Sequence, residues 1–160
     1  MRETAVQDGL TIQIAGENDA DLVAIMVDRL LREMSDWRAP LSGEDIHRVC
    51  AELLGEDGRF QALLAFDETR RPVGVMTLNE AVALYAQGRF GIIMELYVVP
   101  DARSAGVGDR LVQEALRIGR SRGWSLIEVN IPAGPEWGRT RAFYAREGFT
   151  DAGAFLKREI

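Results

Sequence analysis

The stretch from Glu95 to Val112, "ELYVVPDARSAGVGDRLV", restricts the fold of this chain more than any other. A run of strand-forming residues stops at Pro100, two glycines follow at Gly106 and Gly108, and a helical pattern then begins. Neither glycine favours a helix, so their position at its mouth needs another reason. A helix start leaves backbone N–H groups without intrahelical partners, and the helix dipole makes that end partly positive. Small residues there let an anion reach the main chain itself. "RSAGVG" has this character, because Ser104, Ala105, Gly106 and Gly108 leave the backbone bare and Arg103 can add a charge. The plain alternative is a strand-to-helix turn that needs glycine for positive φ.

Two phosphate motifs fail here. A Walker loop needs Gly-Lys-Ser/Thr, and the chain offers Gly108-Asp109-Arg110. A dinucleotide fingerprint needs a third glycine, where Leu111 stands.

The flanking patterns order the rest of the chain. "TIQIAG" alternates as a first strand, and a helix over about Asp21 to Met34 follows a cap at Asn18 or Asp19. Its expected inner face is Leu22, Ile25, Met26, Leu30 and Leu31. A second helix after Ser42 turns Ile46, Val49, Cys50, Leu53 and Leu54 inward and stops at Gly55. "RFQALLAFD" and "PVGVMTLNEAVALY" read as strands around the turn "DETRR", and "RFGIIMELYVV" as a fourth. "GDRLVQEALRIGRSRG", "WSLIEVNI" and "PEWGRTRAFYAREG" then read as helix, strand and helix, with one or two strands in "FTDAGAFLKREI". That order predicts one mixed α/β domain over residues 1–160, with a parallel step around the Gly106 helix.

In this context the loop resembles that of the GNAT superfamily of N-acetyltransferases, whose pyrophosphate loop reads Arg/Gln-x-x-Gly-x-Gly/Ala. Arg103 to Gly108 fill that pattern, and "ELYVVP" is similar to the strand that precedes it. "RAFYAREGF" is similar to the last-helix signature Phe/Leu-Tyr-x-x-x-Gly-Phe through Phe143, Tyr144, Gly148 and Phe149. The resemblance covers about Ile92 to Phe149. Ser104-Ala105 stand where the family often has Gly-Lys or Gly-Arg, and Trp137 where it often has Asn. The resemblance implies a largely antiparallel sheet of about 6–7 strands, splayed between the fourth and fifth and flanked by about four helices.

It also implies acetyl-CoA as donor and an amine as acceptor, a small molecule in the first reading and a protein or peptide amine in the second. A non-catalytic acyl-CoA-binding module is the third. The main chain of Leu96, Val98 and Val99 would pair with the pantetheine arm, and the backbone from Arg103 through Ser104, Ala105, Gly106, Val107, Gly108 and Asp109 would hold the pyrophosphate. Tyr144 matches the tyrosine that protonates the departing thiolate, and a phenol with a pKa of about 10 can do so at neutral pH. Packing in the core is its other reading. An alkyl ammonium, with a pKa near about 10.4, must lose a proton before it attacks. Glu95, the only acid between Phe90 and Pro100, is the candidate base, with an acceptor-gripping or purely structural role as alternatives. Alternation groups it with Ile93 and Tyr97, unless a bulge intervenes.

The remaining features exclude more than they assign. His47 and Cys50 share a helix, but no other His or Cys completes a metal site. Trp37, Asn79, Glu80 and Tyr85 are candidates to line an acceptor pocket. A formal charge of −6 argues against sequence-independent nucleic-acid binding. No apolar run reaches the roughly 18 residues of a membrane span, and no secretory leader is evident. A lone cysteine in a chain that is 47% hydrophobic and 28% charged fits the reducing cytoplasm. A homodimer is compatible with the pattern.

Overall fold

The structure is a computed structural model that describes residues 4–7, 9–34, 42–55, 57–153, 156 and 158. It divides into two compact units, one ending at Glu128 and the other beginning at Val129.

The first unit is built on a sheet whose strands lie side by side in chain order. A hairpin of β1 (Thr4–Gln7) and β2 (Leu10–Ile14) leads into a 3₁₀ turn at Glu17–Asp19, α1 (Ala20–Glu33) and α2 (Gly43–Gly55). Strands β3 (Phe60–Phe66), β4 (Pro72–Ala83) and β5 (Gly88–Val98) then run antiparallel. After β5 come a 3₁₀ turn at Pro100–Ala102, α3 (Val107–Arg122) and β6 (Ile127–Val129), whose last residue begins the second unit. Ser125 N donates to Arg89 O and Gly91 N to Leu126 O, so the step through α3 is parallel. The fold is therefore α/β with a mixed sheet. The hairpin strand β1 was not expected from the sequence. Among the described residues after Phe149, none forms the strand expected there.

Helices α1 and α2 cover one face of the sheet and α3 the other. Gly74 on β4 makes the α3 contact possible, since a Cβ there would lie 2.8 Å from Val107 Cγ1. Val107, Leu111, Val112, Ala115 and Ile118 are the buried side of α3. On α1 the buried stripe is Ala20, Val23, Ala24, Met26 and Val27, while Ile25 and Leu31 stay partly exposed, a rotation from the expected face. Leu111, Leu63, Leu64 and Met76 are fully buried, and the core lies along β3 and β4.

Glu80 ties the α3 face together. It is 8% exposed, and its carboxylate accepts from Arg89 Nη1 (2.8 Å), Arg122 Nη1 (3.1 Å) and Trp124 Nε1 (2.7 Å). Burial works to raise its pKa, but the bonds from Trp124, Arg122 and Arg89 prevail and hold it below the usual value. The expectation that Glu80 lines an acceptor pocket is thereby corrected. It pairs with Gly91 and projects to the α3 side, away from Thr77 and Asn79.

The second unit holds a 3₁₀ turn at Pro135–Trp137 and α4 (Gly138–Arg146). Arg141 Nη2 donates to Pro132 O at 2.9 Å, and Gly148, with φ of 88°, ends the helix.

Candidate active site

One strand carries three of the features expected from the sequence. The β4–β5 ladder pairs Leu78 with Ile93 but Thr77 with Glu95, so Met94 is an extra residue in β5. Such a bulge shifts the side-chain phase by one. Ile93 consequently joins the α3 face, while Glu95 and Tyr97 turn toward α1 and α2. The expected grouping of Ile93 with Glu95 is corrected, and the bulge is the reason.

Glu95 reaches a cavity of about 320 Å³ between the sheet and the two helices. Val23 and Val27 come from α1, Ile46, Cys50 and Leu53 from α2, and Phe60 from β3. Thr77 is the neighbouring polar group: its hydroxyl donates to Glu95 Oε2 and accepts from Glu95 N (3.1 Å). Burial raises the Glu95 pKa and the Thr77 bond offsets this in part, leaving the net shift upward. Burial, with smaller contributions from the charges of Glu95 and Asp21, pushes the Cys50 thiol up to about 11, so it stays protonated. His47 Nδ1 lies 2.9 Å from Asp21 Oδ1 on the outer side of the helices. Trp37 lies outside the described residues.

The far end of β5 offers main-chain groups. Val99 N donates to Val73 O, so the alternation of an antiparallel ladder directs the N–H and C=O groups of Leu96 and Val98 away from β4. The Val99 amide itself is taken up by the sheet. Beyond it, Arg71 pairs with both Asp67 and Asp101 and anchors the Pro100–Ala102 turn. Arg103 N donates to Pro100 O and Ala105 N to Ala102 O. Ser104 and Gly106 have φ of 66° and 80°, and a Cβ at Gly106 would meet open space. No side chain caps α3, so Val107, Gly108 and Asp109 begin it with first-turn amides.

Arg103 is arranged differently from the expectation that it faces an anion. Its Nε donates to Val98 O (2.9 Å), its Nη2 to Glu33 Oε2 (2.6 Å), and the guanidinium lies over the Tyr97 ring. Tyr97 Oη donates to Glu33 Oε1 at 3.3 Å. Sequence reasoning missed Glu33, which is 70 residues from Arg103 and belongs to no motif. It also missed Thr77, whose signal was a lone hydroxyl in the apolar run "VGVMTL".

Tyr144 belongs to the second unit. It is 4% exposed, with the rings of Phe143 and Phe149 edge-on at 5.0 and 5.2 Å. Phe149 N donates to Tyr144 O, which fixes the turn after α4. Burial raises the phenol pKa, so the group is a proton donor and not a base at neutral pH. Among the described residues no cluster of three His, Cys, Asp or Glu side chains could hold a metal, and no helix is long and apolar enough to cross a membrane.

Comparison with known proteins adds a family. Residues 58–151 match the acetyltransferase (GNAT) domain. Among solved structures, a possible acetyltransferase from Clostridium difficile 630 is similar with a TM-score of 0.80 at 14% identity, over 96% of this chain and 98% of that one. An aminoglycoside acetyltransferase from an uncultured soil metagenomic sample gives 0.75 at 20% identity, over 94% and 98%. The ribosomal-protein-alanine N-acetyltransferase of Brucella melitensis biovar Abortus 2308 gives 0.73 at 19%, over 94% and 99%. These likenesses concern the fold. No curated protein matches the chain.

Proposed function

The chain belongs to the GNAT acetyltransferases, and from that premise we propose that it transfers an acetyl group from acetyl-CoA to an amine of a small molecule. In this reading the reaction is direct attack on the thioester in a ternary complex, without an acylated side chain. The cofactor supplies the activated acyl group; the residues of the chain hold it, align it and move protons.

Glu95 takes the proton from the acceptor ammonium, directly or through water. Its raised pKa brings it nearer the pH at which it must work as a base. The main-chain groups of Leu96 and Val98 align the pantetheine arm, with Val99 closing the strand. Amides of Ser104 and of Gly106 to Asp109 hold the pyrophosphate at the uncapped start of α3, the Ala105 amide being taken by Ala102 O, and Gly106 keeps that approach open. Tyr144 Oη is the proton source for the departing thiolate. Arg103 contributes its charge to the phosphates once it leaves Glu33 and Val98 O. The buried, lone Cys50 fits a cytoplasmic setting.

One observation carries the reading: β5 joins both halves of the chemistry. On one face it presents a part-buried acid to a cavity, along its edge it turns the main-chain groups of Leu96 and Val98 away from β4, with Val98 O held by Arg103, and it leads into a loop whose helix has no side-chain cap. The experiment is a thiol-release assay with acetyl-CoA against alkyl and arylalkyl amines, polyamines, aminoglycosides, amino acids and peptides. Amine-dependent release of CoA is expected. Saturable acetyl-CoA binding with no release across the panel would mean a binding module instead.

A further inference from the structure

The cavity beside Glu95 is mostly apolar. Val23, Val27, Ile46, Leu53 and Phe60 are aliphatic or aromatic, and Cys50 behaves as a small apolar residue with its thiol protonated. Two polar groups stand on the sheet side, and one is already engaged: the Thr77 hydroxyl is held by Glu95. Among the described residues no group is paired with Glu95 Oε1, which leaves that oxygen for a guest. At the α2 side the charged residues Asp45 and Arg48 are exposed and face each other at 3.7 Å, while Arg48 also binds Glu52 at 3.2 Å.

We propose that the acceptor is a primary amine with one positive charge on a compact apolar body, an arylalkyl or branched alkyl amine, seated in this cavity with its nitrogen at Glu95. The inference rests on the acetyltransferase reading and narrows its acceptor. The part-buried Glu95 carboxylate can compensate one ammonium. A polyamine or aminoglycoside would bring further charges against Val23, Val27 and Phe60, which cannot replace their water, and the other acid of the lining, Asp45, is exposed and already engaged by Ser42 and Arg48. An amino acid would bring a carboxylate whose only cationic neighbour in the lining, Arg48, is committed to Asp45 and Glu52. An apolar body, by contrast, exchanges water for wall contacts along its whole length. These walls lie mostly on α1 and α2, before residue 58, and so outside the segment that matches the family.

The test compares kcat/KM for phenethylamine, isopentylamine, spermidine and kanamycin with acetyl-CoA, together with calorimetric binding of phenethylamine alone. It is repeated with Val49→Lys, which puts a positive charge into the lining at a position that is 40% exposed and therefore tolerant of it. The expected result is a preference of about tenfold or more for the apolar amines over both polycations. Val49→Lys, by repelling the ammonium, is expected to lower phenethylamine turnover and binding by about tenfold while leaving the acetyl-CoA Kd unchanged. Equal or better turnover of spermidine or kanamycin would overturn the proposal and leave the transferase standing. So would an unchanged phenethylamine response in Val49→Lys. Saturable phenethylamine binding, sensitive to Val49→Lys but without any acetyl transfer, would keep the amine cavity and remove the transferase. Absence of both would remove both.

Discussion

Thr77 and Glu95 face each other across β4 and β5 at the position where the ladder slips by one residue, and the Thr77 hydroxyl holds both the carboxylate and the amide of its partner. The bulge at Met94 aims the acid into the cavity, and the threonine fixes its rotamer. Replacing the acid separates chemistry from stability. Glu95→Gln is expected to reduce turnover by about a hundredfold, the usual scale for a lost general base. Because the folded-state pKa of Glu95 is raised, its contribution to stability is present at low pH and is lost as pH rises through that value. Glu95→Gln should therefore unfold at no lower denaturant concentration than the parent at pH 7.5. A large loss of stability with activity retained would make Glu95 structural.

Thr77→Val keeps the shape of the side chain and removes the bond that lowers the Glu95 pKa. The acid limb of the pH–rate profile should move to higher pH, so the loss in kcat/KM is larger at pH 6 than at pH 8.5. An equal loss at every pH would mean that Thr77 only packs.

Tyr144→Phe removes one oxygen from a buried ring that keeps its contacts with Phe143 and Phe149. A fall in kcat of about a hundredfold with acetyl-CoA affinity within about twofold is expected, measured by steady-state kinetics and calorimetry. Loss of affinity instead would assign Tyr144 to packing.

Glu80→Ala leaves Trp124 Nε1 and two guanidinium groups without their common acceptor. A loss of about 2–4 kcal/mol in urea unfolding is expected. Because the folded-state pKa of Glu80 is depressed, the parent draws stability from this group above the unfolded-state pKa and loses it as pH falls through the folded value. The gap between parent and variant should narrow in acid, and a constant gap would contradict the charge assignment.

Local pattern foretold most of the first unit. Helical spacing and Gly55 bounded α2, and Pro100, Gly106 and Gly123 bounded the α3 crossover, because each terminator acts within a few residues of itself. What escaped depended on distance along the chain or on register. Nothing in the four-residue segment "TAVQ" distinguishes β1 from a loop until β2 pairs with it. The Met94 bulge changes which face Glu95 shares, yet leaves no mark in composition. Glu80 looked like a pocket residue because its partners, Arg122 and Trp124, are more than forty positions away. The engagement of Arg103 by Glu33 was hidden for the same reason.

If main-chain amides at the start of α3 grip a diphosphate, calorimetric titration of acetyl-CoA into the parent and Gly106→Val will separate the two proteins. Valine at a φ of 80° brings backbone strain of about 1–2 kcal/mol, but its Cβ stands in open space, so the variant should remain folded. Saturable binding to the parent, weakened about tenfold or more in the variant, is the predicted result. Equal affinity in the two proteins, or no binding to the parent, would contradict it.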